Sequence, residues 1–157
     1  MEWLKQPLVF VYYARLYEAP KVFDCSSFTK WIYGQRGIWL PRRSIQQSEI
    51  GEPVEVNELT TGDLVFTSGA IDYYRENPDW GVGHVGLYVG NGNVVHAANK
   101  KSNILETNIY DFIKGGKLRA VRRYISKGAE LLTVELPASR EVEISDDIRW
   151  IVLQSFS

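Results

Sequence analysis

The chain has 157 residues, of which 45% are hydrophobic and 24% are charged, and its formal net charge is −1. This size predicts one folded domain with a hydrophobic core, because two domains of ordinary size would not fit. The near-neutral charge and the lack of a long basic stretch argue against a nucleic-acid-binding protein. No segment approaches the ~18 apolar residues of a membrane-spanning helix, so we expect no membrane span.

The N-terminal segment, MEWLKQPLVFVYYAR, combines a lysine with a short apolar run and weakly resembles a secretion signal. The run is short and lacks a convincing small-residue cleavage site, so we interpret the segment as part of the fold. There is thus no clear signal peptide, and we expect a cytoplasmic location if the chain is full length. The single cysteine cannot form an internal disulfide, so the redox compartment stays open.

A helix is predicted over Cys25–Arg36, with Asp24 as its N-cap. Its hydrophobic residues recur at helical spacing, at Phe28, Trp31 and Ile32. Gly37 is well placed as the residue that follows the helix. A second short helix is expected over Arg42–Gln47.

Strands are predicted after this helical region, and together with the helix they indicate an α+β domain. These elements are Asp63–Thr67, His84–Val89, Val94–Ala98, Ile104–Thr107 and Leu118–Tyr124, with a short helix near Ile109–Lys114. The segment Gly90–Asn93 between the second and third strands is the strongest hairpin signal of the chain.

The last part of the chain has a different pattern. Strand-like segments at Leu131–Leu136 and Ile148–Leu153 are separated by a stretch rich in charged residues. We therefore divide the chain into a domain over 1–125 and a C-terminal extension of unknown role over 126–157.

Cys25 lies in the first turn of the predicted helix. Backbone N–H groups and the positive end of the helix dipole stabilise a thiolate there and lower the thiol pKa. The same N–H groups can donate to the oxyanion of a tetrahedral intermediate. A lone cysteine is more often a small buried hydrophobic residue, so it is this position that favours a nucleophile. The charge of the adjacent Asp24 would oppose the thiolate unless it is directed elsewhere.

His84 and His96 are the only histidines, and they flank the predicted hairpin. Because side chains alternate faces along a strand, the two share a face only if the hairpin contains an odd-length loop or a bulge. We predict a three-residue loop over Gly90–Gly92, which places His96 opposite Gly86 and within diagonal reach of His84. A clean two-residue turn at Asn91-Gly92 would put the histidines on opposite faces.

Five short motifs occur in order along the chain: FDCSSF, LPRRSIQQ, LTTGDLVF, GHVGLYVGNG and VVHA. In this order they resemble the NlpC-type cell-wall peptidases, papain-like cysteine hydrolases of bacterial peptidoglycan stem peptides. The resemblance extends over roughly Tyr13–Tyr124. It implies a papain-like α+β fold, in which the helix carrying the cysteine packs on an antiparallel sheet carrying both histidines.

The resemblance also implies a mechanism. Cys25 would be the nucleophile, His84 the general base, His96 the residue that orients the base, and Tyr13 part of the oxyanion region. The enzyme would hydrolyse a γ-D-glutamyl–diamino acid amide through an acyl-enzyme. Its partners would be stem peptides or muropeptides, it would need no cofactor or metal, and we expect a monomer.

Substrate-binding residues are implied as well. Asp24 and Ser26 resemble the subsite for the free amino group of the substrate, which would turn the charge of Asp24 outward, and Arg42 belongs to the LPR segment. Trp80 lies in Ser68–Gly83, a loop that is longer than usual for the resemblance. That loop either forms an aromatic wall or lid beside the cleft or packs its own aromatic side chains.

Three alternatives stay open. One is an acyltransferase or amidase of the same fold that acts on a non-peptidoglycan amide. Another is an inactive binding module, against which the joint presence of Cys25, His84, His96 and Tyr13 argues. The third is a metal site built from Asp24 and the Cys–His–His set, which lacks the close-paired ligands of structural zinc sites.

Overall fold

A computed structural model describes residues 9–10, 19, 21–99 and 103–125 of the chain. Tyr13 lies outside these residues, and so does the predicted C-terminal extension over 126–157. None of the described helices is both long enough and apolar enough to cross a membrane.

The described residues form short helices and an antiparallel sheet. The helices are α1 (Cys25–Gly34), α2 (Ser44–Ser48) and α3 (Ile109–Ile113). The strands are β1 (Val9–Phe10), β2 (Val22–Phe23), β3 (Glu52–Pro53), β4 (Leu64–Thr67), β5 (His84–Gly90), β6 (Asn93–Asn99), β7 (Asn103–Asn108) and β8 (Leu118–Arg123). Single 3₁₀ turns lie at Val56–Glu58 and Pro78–Trp80.

Six strands form the main sheet, in the order β3-β8-β4-β5-β6-β7, and every neighbouring pair is antiparallel. The short strands β1 and β2 pair in parallel apart from it. The predicted α+β class is confirmed. The predicted central strands differ from the observed ones by one residue or less at each end, whereas the two-residue edge strand β3 has too short a pattern to be read from the sequence.

The sheet is covered by a helix on each face, because its central strands bury apolar side chains on both sides. On one face, Leu64, Phe66, Val85 and Leu87 pack with Tyr33 of α1. On the other face, the buried side chains include Val65, Val94 and Val121 of the sheet and Ile109 and Phe112 of α3. The strands β5 and β6 therefore lie between α1 and α3.

The turns at the ends of these elements follow from their glycines. α1 ends at Gly34, two residues before the predicted end, and Gly37 adopts a φ of 73° that reverses the chain direction. Between β5 and β6, Asn91 and Gly92 have φ values of 54° and 77°, as the central residues of a type I′ turn require.

Candidate active site

A cavity of about 490 Å³ brings together most of the residues selected from the sequence. Its wall includes Asp24, Cys25, Ser26, Arg42, His84 and His96. Two sides can be distinguished. The nucleophile side is the first turn of α1 with the segment before α2, and the histidine side is the sheet over β5, β6 and β7.

The nucleophile side is organised by a helix cap. The Asp24 carboxylate accepts a hydrogen bond from the backbone N–H of Ser27 at 2.8 Å, and the Ser27 hydroxyl accepts from the N–H of Asp24 at 2.9 Å. This capping box fixes the start of α1, so Cys25 is the first residue of the helix.

The second interaction of Asp24 is a buried ion pair with Arg42. Nη2 of Arg42 lies 2.5 Å from Oδ2 of Asp24, and the two side chains are 5% and 7% exposed. Nη1 of Arg42 also donates to the Ser26 hydroxyl at 3.1 Å. The expectation that the Asp24 charge turns outward is therefore corrected. The Ser27 N–H and the Arg42 guanidinium hold this carboxylate inward, and they supply the compensation that a buried charge needs.

Gln47 of α2 ties the same turn to the neighbouring segment. Its amide donates to the carbonyl oxygens of Ser26 at 3.0 Å and Pro41 at 2.8 Å, and its Oε1 accepts from the Thr29 hydroxyl at 2.8 Å. Gln47 is fully buried. The position of the nucleophile side thus depends on contacts between α1 and α2 as well as on the helix cap.

The thiol of Cys25 does not show the pKa that its helix position predicts. Burial raises the pKa of Cys25 to about 12 and the charge of Asp24 acts in the same direction. The backbone N–H groups of Val85 and Ser26 and the charge of Arg42 lower it, but by less. The cavity therefore favours a neutral thiol, because desolvation of the thiolate outweighs the helix N-terminus.

The β5–β6 hairpin places both histidines on one face, by a route that differs from the prediction. The predicted three-residue loop over Gly90–Gly92 is wrong, since Gly90 pairs with Asn93 across a two-residue turn. The register then shifts, so that Tyr88 pairs with Val94, and the extra residue is a β-bulge. The two-residue turn alone would put His84 and His96 on opposite faces of the sheet, and the bulge returns them to the same face.

The register predicted for the histidines is nevertheless the one observed. Leu87 pairs with Val95, which places His96 opposite Gly86. A Cβ on Gly86 would lie 3.3 Å from Cβ of His96 and 2.9 Å from Cζ of Phe112. Because Gly86 has no side chain, it leaves the room that His96 and Phe112 need.

His84 and His96 are in direct contact. Nε2 of His84 lies 2.8 Å from Nδ1 of His96, and Nε2 of His96 lies 2.9 Å from the hydroxyl oxygen of Thr107. Phe112 of α3 packs against both rings, with centroid distances of 5.6 and 4.9 Å. Since Nε2 of His84 is taken by His96, Nδ1 is the nitrogen that is left for another partner.

The surroundings of the two rings favour their neutral forms. Burial lowers the pKa of His84 to about 3, and the neighbouring His96 and Lys117 act in the same direction. Burial likewise lowers the pKa of His96 to about 4. Both rings are therefore uncharged at neutral pH.

The two sides meet where β5 begins. Sγ of Cys25 lies 3.9 Å from the carbonyl oxygen of Gly83, the residue before His84. The thiol of Cys25 and the neutral imidazole of His84 thus line the same cavity. Among the described residues, no cluster of three or more His, Cys, Asp or Glu side chains is arranged to hold a metal ion.

Trp80 is not part of this cavity. A bridge between Tyr73 and Val82 joins the two arms of the loop Ser68–Gly83, and none of residues 74–82 lines the cavity. Trp80 is 68% exposed and lines a separate depression with Arg119. The structure therefore does not bring Trp80 together with the other candidates, and Tyr73 is the aromatic residue of this loop that lines the cavity.

Sequence reasoning missed two residues of the histidine side, Thr107 and Phe112. His96 pairs with Leu105, which puts Thr107 diagonally opposite His96 on the same face. Only the β6–β7 register reveals this, although the strand Ile104–Thr107 was predicted. The apolar run that precedes Lys114 indicates a helix, but not that its Phe112 covers the histidines.

Comparisons with known proteins show which chains this one is similar to. A family model described as the NlpC/P60 family matches residues 11–123. The chain is 40% identical over 91 residues to a probable endopeptidase of Corynebacterium glutamicum, a match that covers 57% of this chain and 38% of that protein. It is 35% identical over 105 residues to a gamma-D-glutamyl-L-lysine dipeptidyl-peptidase of Bacillus cereus, covering 66% of this chain and 29% of that protein.

The chain is also similar to a solved structure. The peptidoglycan hydrolase RipB of Mycobacterium tuberculosis superimposes with a TM-score of 0.52 at 28% identity, over 67% of this chain and 46% of that one. The chain thus spans less than half the length of each of these three relatives. Because the family model extends over well more than half of the residues, we conclude that the chain belongs to the NlpC/P60 family.

Proposed function

We propose that the chain is a cysteine hydrolase that cleaves an amide bond in bacterial peptidoglycan stem peptides. One observation carries the proposal. In a chain of the NlpC/P60 family, a single cavity holds Cys25 at the start of α1 beside the hydrogen-bonded pair of His84 and His96. A nucleophile, a base and a residue that orients the base are what amide hydrolysis by a thiol requires.

The proposed reaction begins from neutral groups. Nδ1 of His84 takes the thiol proton as Sγ of Cys25 attacks the amide carbonyl carbon, so a free thiolate need not accumulate. The first-turn N–H groups of α1 donate to the oxyanion, with Tyr13 proposed as a further donor. The imidazolium of His84 then gives its proton to the leaving amine and a thioester remains.

Hydrolysis of the thioester completes the cycle. His84 takes a proton from water, the hydroxide equivalent attacks the carbonyl, and the returned proton regenerates the thiol. His96 stabilises the imidazolium at both stages, because the charged His84 ring carries a proton on both nitrogens and its Nε2–H donates to Nδ1 of His96, 2.8 Å away. The proposed reaction uses no cofactor and no metal.

The proposed substrate class is a γ-D-glutamyl–diamino acid amide. The printed name of the Bacillus cereus relative supports this class. Asp24 and Ser26 line the cavity beside Cys25, where they would receive the free amino group of the peptide. In that case the ammonium of the substrate and the guanidinium of Arg42 would both contact the Asp24 carboxylate, and Arg42 would keep the carboxylate in place.

The test is incubation of the purified protein with defined stem peptides, followed by mass spectrometry of the products. We expect cleavage on the carboxyl side of the γ-D-glutamyl residue by the wild-type protein. Cys25→Ala should reduce the rate by more than about a thousandfold, because it removes the nucleophile. Asn57→Ala is the matched control, since Asn57 is exposed and does not line the cavity.

Two results would contradict the proposal. Cleavage that persists in Cys25→Ala would refute the mechanism. If the wild-type protein is folded but cleaves no stem peptide, the proposed substrate is wrong.

A further inference from the structure

The hydrogen bonds of the histidine side end on a hydroxyl group. Thr107 of β7 is only partly buried, lines the cavity and has its Oγ1 2.9 Å from Nε2 of His96. Where a catalytic pair ends on a carboxylate, the partner can only accept a hydrogen bond. A hydroxyl can accept or donate, so the direction of the hydrogen bonds along this chain of groups becomes a question that can be answered.

Counting protons relates this direction to the chemistry. A neutral imidazole carries one N–H, so each ring donates through one nitrogen and accepts through the other. If Thr107 accepts from Nε2–H of His96, Nδ1 of His96 must accept from Nε2–H of His84. Nδ1 of His84 is then unprotonated and is able to take the thiol proton.

The reverse direction gives an unproductive arrangement. If Nδ1 of His96 carried the proton, it would donate to Nε2 of His84, and the proton of His84 would sit on Nδ1. A ring in that form cannot accept the proton of Cys25. The same two distances, 2.8 and 2.9 Å, fit both directions, so it is the requirement that His84 act as a base that selects the first one.

We propose that Thr107 is a positioning residue, whose hydroxyl accepts from Nε2–H of His96 and thereby holds both histidines in the tautomer in which His84 acts as a base. This inference rests on the proposed function, because it assigns a role in that reaction. Thr107 does not touch the reacting atoms. It acts through His96, as outer hydrogen-bond partners of metal-ligating histidines set the ring tautomer.

Matched substitutions isolate the hydroxyl. Thr107→Val keeps the shape and removes the acceptor, whereas Thr107→Ser keeps the acceptor and removes a methyl group. A buried N–H without a partner is costly, so in Thr107→Val the pair should shift toward the unproductive tautomer. We expect kcat to fall about 10- to 100-fold with KM within about twofold, and Thr107→Ser to retain most of the activity.

A spectroscopic measurement tests the inference without any substrate. With only two histidines in the chain, long-range proton–nitrogen NMR correlations can assign the protonated nitrogen of each ring. Wild type and Thr107→Ser should show both protons on Nε2 at neutral pH, and Thr107→Val should lose this pattern. If Thr107→Val does not fold, Thr107→Ala measured against Thr107→Ser gives the same comparison.

The outcomes separate this inference from the proposed function. A wild-type protein that cleaves no stem peptide but shows the tautomer change in Thr107→Val would contradict the substrate and support the hydrogen-bond direction. The inference is overturned if Thr107→Val keeps the wild-type tautomers, or if Thr107→Ser loses as much activity as Thr107→Val.

Discussion

The two sides of the cavity hold their functional groups in different ways. On the nucleophile side, a buried ion pair between Asp24 and Arg42 and a capping box fix the start of α1. On the histidine side, neutral groups from three strands form hydrogen bonds beneath the ring of Phe112. One side is positioned by charge and the other contains no ion pair within its chain of hydrogen bonds.

This difference suits the roles proposed for the two sides, which are to hold the nucleophile in place and to take up and return a proton. A buried ion pair holds a geometry firmly, because separating the charges leaves each one uncompensated in an apolar setting. A chain of neutral donors and acceptors instead allows a proton to be taken up and returned, since its groups can exchange donor and acceptor roles. The three predictions below test whether the sides differ in this way, from the largest expected effect to the smallest.

Arg42→Met should give the largest effect, because it removes the guanidinium that compensates the charge of the buried Asp24 carboxylate. We expect the free energy of unfolding to fall by about 3–5 kcal/mol, measured by denaturant titration. The matched control is the adjacent Arg43→Met. Arg43 is exposed and stacks over Tyr73 at 5.2 Å, so its loss should cost at most about 1 kcal/mol. Equal losses in the two variants would show that charge does not hold the nucleophile side.

The histidine side should make the protein sensitive to mild acid. The pKa values of His84 and His96 are lowered to about 3 and about 4 in the folded protein, from 6.5 in the unfolded chain. As the pH falls from about 6.5 to 4, the unfolded chain binds protons that the folded protein refuses, so stability is lost over this window. Well above 6.5, where the histidines of the unfolded chain are uncharged too, they contribute no pH dependence.

This acid sensitivity is measured as the free energy of unfolding at several pH values between 7 and 5. Near pH 5 the slope of the wild-type unfolding free energy against pH should correspond to the uptake of up to roughly two protons by the histidines on unfolding. The double variant His84→Asn/His96→Asn should have a shallower dependence by that amount. If the two proteins show the same dependence on pH, the histidine side is not held neutral.

The smallest effect concerns the loop Ser68–Gly83, which joins β4 to β5. Trp80→Ala should change kcat/KM less than about twofold, because this exposed side chain lies outside the cavity. Substitutions at such surface positions usually have small effects. Tyr73→Ala should lower kcat/KM about fivefold, the size of an aromatic contact of ~1 kcal/mol. A larger effect from Trp80 than from Tyr73 would mean that the loop tip reaches the substrate.

Much of the nucleophile side could be predicted from the sequence because its determinants are local. Asp24 followed by Cys25–Gly34 carries the signals of a helix cap and an amphipathic helix within a few residues. The pairing of Asp24 with Arg42 was not predicted, and neither was the raised pKa of Cys25. Both depend on burial in the folded protein, which local patterns do not contain.

The histidine side shows the opposite balance. Period-two alternation predicted the strands and placed His96 opposite Gly86, yet the route was a bulge before a two-residue turn. A loop and a bulge each shift the register by one residue, so alternation alone does not distinguish them. Thr107 and Phe112 are positioned by β7 and α3, and the contacts of these elements with His96 exist only after the sheet has formed.

By itself, the sequence determined the α+β class, the helix that begins at Cys25 and the two histidines on adjacent strands, because capping and hydrophobic periodicity act over a few residues. The tertiary structure decided which groups surround them: the ion pair that turns Asp24 inward, the bulge that aligns His84 with His96, the hydroxyl of Thr107 and the placement of Trp80 away from the cavity. These depend on sheet register and burial, which arise from contacts between residues far apart in the chain.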